Sequence, residues 1–143
     1  MAKANYDEMI KSLHIPSQLN DNEVITYVRQ QDIGWKHILS LQQLTGFKDE
    51  IISEWLNISV RTLRTYKYPD TTLKQNLKEQ VVLLISLIQY GIDVFGSTRA
   101  FEDWLLTANF FFDRNPPLSY LNTVSGIRFV NDRLIAMEHG DNV

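Results

Sequence analysis

The sequence contains no cysteine, so neither a disulfide nor a thiolate metal site can hold the fold together, and nothing in it asks for an oxidising compartment. Histidine is scarce too. His14, His37 and His139 are the three present, and they stand far apart with none of the paired spacing that a metal ligand set uses. Long apolar runs are missing: the longest strongly apolar one, Val81 to Ile85, is far too short to cross a bilayer. Met1 to Lys11 is polar and lacks a signal-peptide pattern. Also absent are internal repeats, low-complexity tracts and Gly- or Pro-rich linkers. These absences predict a soluble, cytoplasmic protein without membrane, metal or cofactor, whose parts pack against one another.

What is present is apolar periodicity. At 143 residues and 44% hydrophobic, the chain can build one cored domain, or two small ones sharing helices. The net charge is -3, but it is unevenly spread. Residues 1–58 hold five basic and eight acidic residues, 59–78 hold five and one, and 79–143 hold four and eight. Basic charge is thus concentrated in one short segment, and any phosphate-binding function belongs there.

In order along the chain, residues 4–13 read as a weak helix ended by Ile15-Pro16. Asn20 with Glu23 makes a capping-box signal for a helix running to about Gln31, although Val24 to Val28 would also suit a strand. Gly34 breaks the pattern. Trp35, Ile38, Leu39, Leu41 and Leu44 then space a helix that Gly46 is expected to end. Farther on, Thr72 with Gln75 offers another capping box, and Leu73, Leu77, Val81, Leu84, Ile88, Ile92 and Phe95 follow three or four apart. Val82, Ile85 and Leu87 widen that stripe, which predicts a long helix from Leu73 to Phe95 buried on two sides. Gly91 within it marks a close helix contact, and Gly96 ends it.

Between these segments the pattern is that of a helix-turn-helix at about residues 47–67. Taking Asn57 as the turn residue, Ile52, Leu56, Ile58, Leu63 and Tyr66 face inward and the small Ser53 sits at the crossing. Asn tolerates the left-handed turn, and Ser59 can cap the second helix. Arg61, Thr62, Arg64, Thr65 and Lys67 are then turned to solvent beside Ser59, in an acid-free basic run. Arg can fork onto guanine edges or phosphates, while Thr and Lys suit backbone oxygens, so Ser59, Arg61, Thr62, Arg64, Thr65 and Lys67 are the candidate DNA-binding residues.

The last third, Ala100 to Gly140, carries two amphipathic patterns with a proline-marked turn between them. Phe101, Trp104, Leu105 and Ala108 share one helical face. Asn115-Pro116-Pro117 stops the chain. Thr123 can then cap a helix whose stripe is Val124, Ile127, Val130, Leu134 and Met137, with Gly140 as its stop. Phe110, Phe111 and Phe112 cannot all share one face, so at least one lies near the surface as core overflow or as an anchor for a partner. No enzyme is expected. Ser125, His139 and Asp141 are triad residue types, but Ser125 lies early on a helix with no nucleophile elbow or glycine-rich loop around it. Asp49-Glu50 and Glu102-Asp103 sit near helix starts, where acids complement the macrodipole.

Ala100, Trp104-Leu105, Asn109, Pro117, Leu121, Thr123, Gly126, Val130, Leu134 and His139-Gly140 together resemble the toxin-binding domain of the Xre/MbcA/ParS antitoxins. With the helix-turn-helix the resemblance spans roughly residues 34–140. It departs at Phe110 to Asn115, where relatives tend to be smaller and glycine-containing. The resemblance implies an all-α antitoxin with an N-terminal helix-turn-helix region (1–70) and a C-terminal region (71–143), made of the long helix and a toxin-binding domain at about 97–140. Its partner would be a RES-type toxin, similar to ADP-ribosyltransferases and depleting NAD. Such antitoxins usually repress their own operon as dimers or as part of a larger toxin complex, and the C-terminal end of the domain obstructs the toxin's nucleotide pocket. By resemblance Arg133, Glu138, His139 and Gly140 become candidate toxin contacts, and Phe111 joins them as the exposed-aromatic anchor rather than through the resemblance. The alternative is a stand-alone transcriptional regulator whose C-terminal half dimerises or senses a ligand.

Overall fold

A computed structural model describes residues 8, 10–17 and 20–140, and within them helix is the only extended regular structure. The fold is all-α. Residues 10–12 are helical, and the rest of the helix expected over 4–13 lies largely outside the described residues. The main helices are α1 (Asp21–Gln30), α2 (Trp35–Leu44), α3 (Asp49–Leu56), α4 (Val60–Tyr66), α5 (Gln75–Phe95), α6 (Thr98–Leu106) and α7 (Val124–Glu138). Single 3₁₀ turns at Phe110–Phe112 and Pro117–Tyr120 lie between α6 and α7.

Helix α5 is the axis around which the rest is built. Its 21 residues span about 31 Å, and α1, α2, α3, α6 and α7 all pack on it. That demand explains why its apolar surface is wider than a stripe. Val81, Val82, Leu84, Ile85, Leu87 and Ile88 are all essentially solvent-free. Gly91 is where α6 comes closest: a Cβ there would stand 2.2 Å from the Phe101 ring. Phe101 in turn stacks on Trp104 with centroids 6.1 Å apart.

Several boundaries differ from the sequence pattern. At Val24 to Val28 the expected helix forms rather than a strand, because Asn20 accepts the Glu23 backbone N–H at 2.8 Å and starts α1. Helix α2 ends at Leu44 with Thr45 as its cap, and Gly46 lies in the following connection, where its N–H donates to Glu102 of α6. The Thr72–Gln75 box is not used. Thr72 forms an isolated bridge with Gly34, so α5 starts two residues after Leu73, which is buried outside the helix. Ala108 likewise falls beyond α6, which stops at Leu106. No single helix among the described residues is long and apolar enough to cross a membrane.

Candidate functional site

Residues 49–66 fold as two short helices joined at Asn57, whose φ of 56° and ψ of 41° are left-handed. The Ser59 hydroxyl accepts the Thr62 backbone N–H at 3.0 Å, which starts α4. Leu63 and Tyr66 are buried, as are Ser53 and Leu56 on α3, so the pair is held by its inner faces. Arg61, Arg64 and Thr65 are exposed; Thr62 and Lys67 are half-buried.

The outward side chains are not equivalent. The Thr62 hydroxyl accepts from the Ser59 hydroxyl at 3.0 Å, and the Thr65 hydroxyl donates to the Arg61 carbonyl at 3.1 Å. Lys67, expected to face solvent, instead lies on the Asp49 carboxylate of α3 with Nζ 2.6 Å from Oδ1. Arg64 donates through Nε to the other oxygen, Oδ2, at 3.2 Å. Gln42 of α2 adds a third donor to Oδ1 at 2.6 Å. The Lys67 hydrogen bond is the main reason that the Asp49 carboxyl is held below its ordinary range, with smaller help from Arg64 and Gln42 against partial burial. Arg61 has no ion-pair partner among the described residues.

The second surface lies at the other end of the chain. Asn109 is buried and ties the loop 109–115 shut: its Oδ1 accepts the Phe111 N–H at 2.9 Å, and its carbonyl accepts from Phe112 and Arg114 at 3.0 and 2.9 Å. Asp113 and Arg114 take left-handed φ values of 54° and 65° to close it. The three phenylalanines divide as the sequence requires. Phe112 is fully buried among Trp104, Tyr120 and Phe129, whereas Phe110 is 79% and Phe111 42% exposed. Phe110 meets Phe111 edge-on at 5.7 Å, and the Arg133 guanidinium of α7 lies 3.6 Å from the Phe111 ring centroid. A tight loop therefore presents two aromatic rings to solvent with a cation stacked on one of them.

Residues 91–140 match the family model for the antitoxin Xre/MbcA/ParS C-terminal toxin-binding domain. The matched stretch begins inside α5 and runs through the aromatic loop to the end of α7. No curated protein matches the chain significantly. The match makes the C-terminal segment similar to an antitoxin's toxin-binding domain and supports a toxin protein as its partner. Within that toxin-binding segment, Thr123 caps α7 by accepting the Gly126 N–H at 2.9 Å. Glu138, at the last turn, accepts the Tyr90 hydroxyl at 2.8 Å, which anchors the end of α7 to α5. Burial and then this carboxylate push the Tyr90 hydroxyl up to about 12. His139 and Gly140 follow as an exposed cap, Gly140 with φ 100°.

Two contacts were beyond the reach of sequence periodicity. Asp49 binds residues 15 and 18 positions away, and the Asn57 side chain donates to the Asn122 carbonyl at 2.8 Å. The second bond joins the left-handed turn of the basic helical pair to the residue preceding the α7 cap. The two candidate surfaces therefore belong to one packed body.

Proposed function

We propose that this chain is a type II antitoxin that binds a RES-type, NAD-degrading toxin in the cytoplasm, blocks its nucleotide pocket, and as a homodimer represses its own operon. The observation that carries the reading is the match of residues 91–140 to an antitoxin toxin-binding domain. Physical support comes from the aromatic loop. Phe110 and the part of Phe111 not under Arg133 expose apolar area, on a loop stiffened by Asn109, and such preformed aromatic anchors lose little entropy on docking. Arg133, Glu138, His139 and Gly140 continue from that loop along α7 to its end. Repression is supported by the Ser59-capped α4, which presents Arg61 and Arg64 outward.

Co-expression with the neighbouring reading frame tests this, following growth and cellular NAD. The expected result is that the neighbour arrests growth and drains NAD only when this chain is withheld, and that Phe110→Ser with Phe111→Ser weakens protection while the chain still folds. Arg61→Ala with Arg64→Ala should release the operon yet leave protection intact. A harmless neighbour with which nothing co-purifies would sink the antitoxin reading in favour of a stand-alone regulator.

A further inference from the structure

We propose that Asp49 is a positioning residue for sequence specificity: it grips Arg64 through Nε and aims the terminal edge of the guanidinium outward, so that Arg64 reads a guanine while Lys67 reads nothing. The inference rests on the DNA-binding reading above.

The geometry separates the three cations of this surface. Arg64 keeps a side chain 64% exposed although its Nε is bound to Asp49. Its Nη1 and Nη2 groups make no hydrogen bond among the described residues, and those two groups are the fork that matches guanine O6 and N7. Lys67 is only 20% exposed and its ammonium sits 2.6 Å from the same carboxylate. Arg61 has neither restraint.

An unrestrained arginine must give up rotamer freedom when it docks, and it can satisfy any phosphate nearby. Gripping Nε removes that freedom beforehand and leaves one approach direction. A carboxylate facing DNA would ordinarily repel it. Here Asp49 is 14% exposed and bracketed by two cations, so the Asp49–Arg64–Lys67 group carries a net charge of +1 and its negative member is turned inward. Lys67 thus serves to neutralise Asp49, and Gln42 from α2 fixes the carboxylate from behind at 2.6 Å.

The test uses the full chain and a duplex library with a randomised core, selected on the wild type and sequenced. Binding of the selected duplex and of single-base variants is then measured over a range of salt for wild type, Asp49→Asn, Arg64→Lys and the double variant. Expected for wild type is a selected motif containing a G·C pair. Asp49→Asn should lose about tenfold of the discrimination at that pair, while the slope of log affinity against log salt steepens, because Lys67 is no longer neutralised. Arg64→Lys, which keeps the charge but not the fork, should lose as much, and the double variant no more than either. Unchanged discrimination in Asp49→Asn would overturn the proposal while leaving DNA binding standing; so would an equal change for every duplex, which means bulk charge alone. If the wild type selects no sequence, the DNA-binding reading falls and this inference with it. A melting curve accompanies each variant. Should Asp49→Asn be unfolded at the assay temperature, Arg64→Lys decides alone, and retained discrimination there overturns the proposal.

Discussion

Gly126 is held mainly by backbone, and that makes it the least replaceable glycine in the segment 91–140. A Cβ at Gly126 would lie 1.7 Å from the Tyr120 carbonyl oxygen, and no rotamer change can relieve a clash with main chain. The 3₁₀ turn Pro117–Tyr120 would have to lift off α7, taking Tyr120 away from Phe112, whose carbonyl its hydroxyl binds at 2.9 Å. Gly91 differs, since the obstacle there is the Phe101 ring, which can move at the cost of its stacking, and Ala gains about 1 kcal/mol of helix propensity in return. Gly96 has open space and only a left-handed φ of 86°. Urea unfolding should therefore rank the alanine variants: Gly126→Ala loses about 3 kcal/mol, Gly91→Ala less, and Gly96→Ala about 1 kcal/mol. Equal losses at Gly126 and Gly96 would mean that the turn is free to shift.

On the scale of elements, α4 shows how a helix that satisfies every local rule can still hide its chemistry. Its cap at Ser59, its inward Leu63 and Tyr66, and the left-handed Asn57 before it all follow from near neighbours in sequence. The engagement of Lys67 does not, because its partner belongs to another helix. Asp49 already had a sufficient local role at the start of α3, where an acid complements the macrodipole, so nothing in the one-dimensional pattern asked for a second. The same limit applies to α5. Its period was plain, but Thr72 could equally cap a helix or bridge to Gly34, and only packing with the α1–α2 connection selects the bridge. The aromatic run shows the intermediate case: helical geometry required that one ring be displaced, whereas the closure of the loop on Asn109 decides that Phe112 goes inward. The unequal cations of α4 give a salt measurement. Arg61→Ala should reduce the slope of log affinity against log salt by about 0.9, the value of one released counterion. On the DNA-binding reading, Lys67→Ala should reduce it less, since that ammonium lies on Asp49 and makes no phosphate contact of its own. Equal reductions would show that Lys67 leaves Asp49 for phosphate in the complex.

For the whole molecule, the buried junction at His37 makes stability depend on pH in a defined window. His37 is 3% exposed on α2. Tyr27 of α1 gives its hydroxyl proton to the Leu13 carbonyl at 2.5 Å, so its oxygen is left to accept from His37 Nε2 at 3.1 Å. The Gly34 N–H points at Nδ1 from 3.3 Å. This set fits only the neutral ring protonated on Nε2; a second proton on Nδ1 would face a donor. Burial accordingly lowers the imidazole from 6.5 to about 4, with Asp32 opposing weakly. The unfolded chain binds a proton near 6.5 and the folded chain does not until about 4, so the unfolded state is the more protonated throughout that interval. Stability is therefore complete above pH 6.5 and falls as pH drops towards 4, by about 3 kcal/mol in all. Asp49, whose carboxyl is lowered from 3.8, loses its contribution only at more acid pH. At the alkaline end Tyr27 and Tyr90, raised from 10 to about 12, stay neutral in the fold, and stability is lost above pH 10 where the unfolded chain ionises them. Since α5 packs against α1, α2, α6 and α7 together, the acid loss at His37 should be felt by the whole chain in one cooperative transition. Chemical unfolding followed at far-ultraviolet ellipticity and at tryptophan fluorescence should give coincident curves at pH 7, and a midpoint that falls between pH 6.5 and 4. His37→Gln, which keeps a polar side chain but cannot titrate, should flatten that fall. A fall of the same size in His37→Gln would place the titrating group elsewhere, and separate transitions for the two probes would mean that the C-terminal segment unfolds apart from the helices around His37.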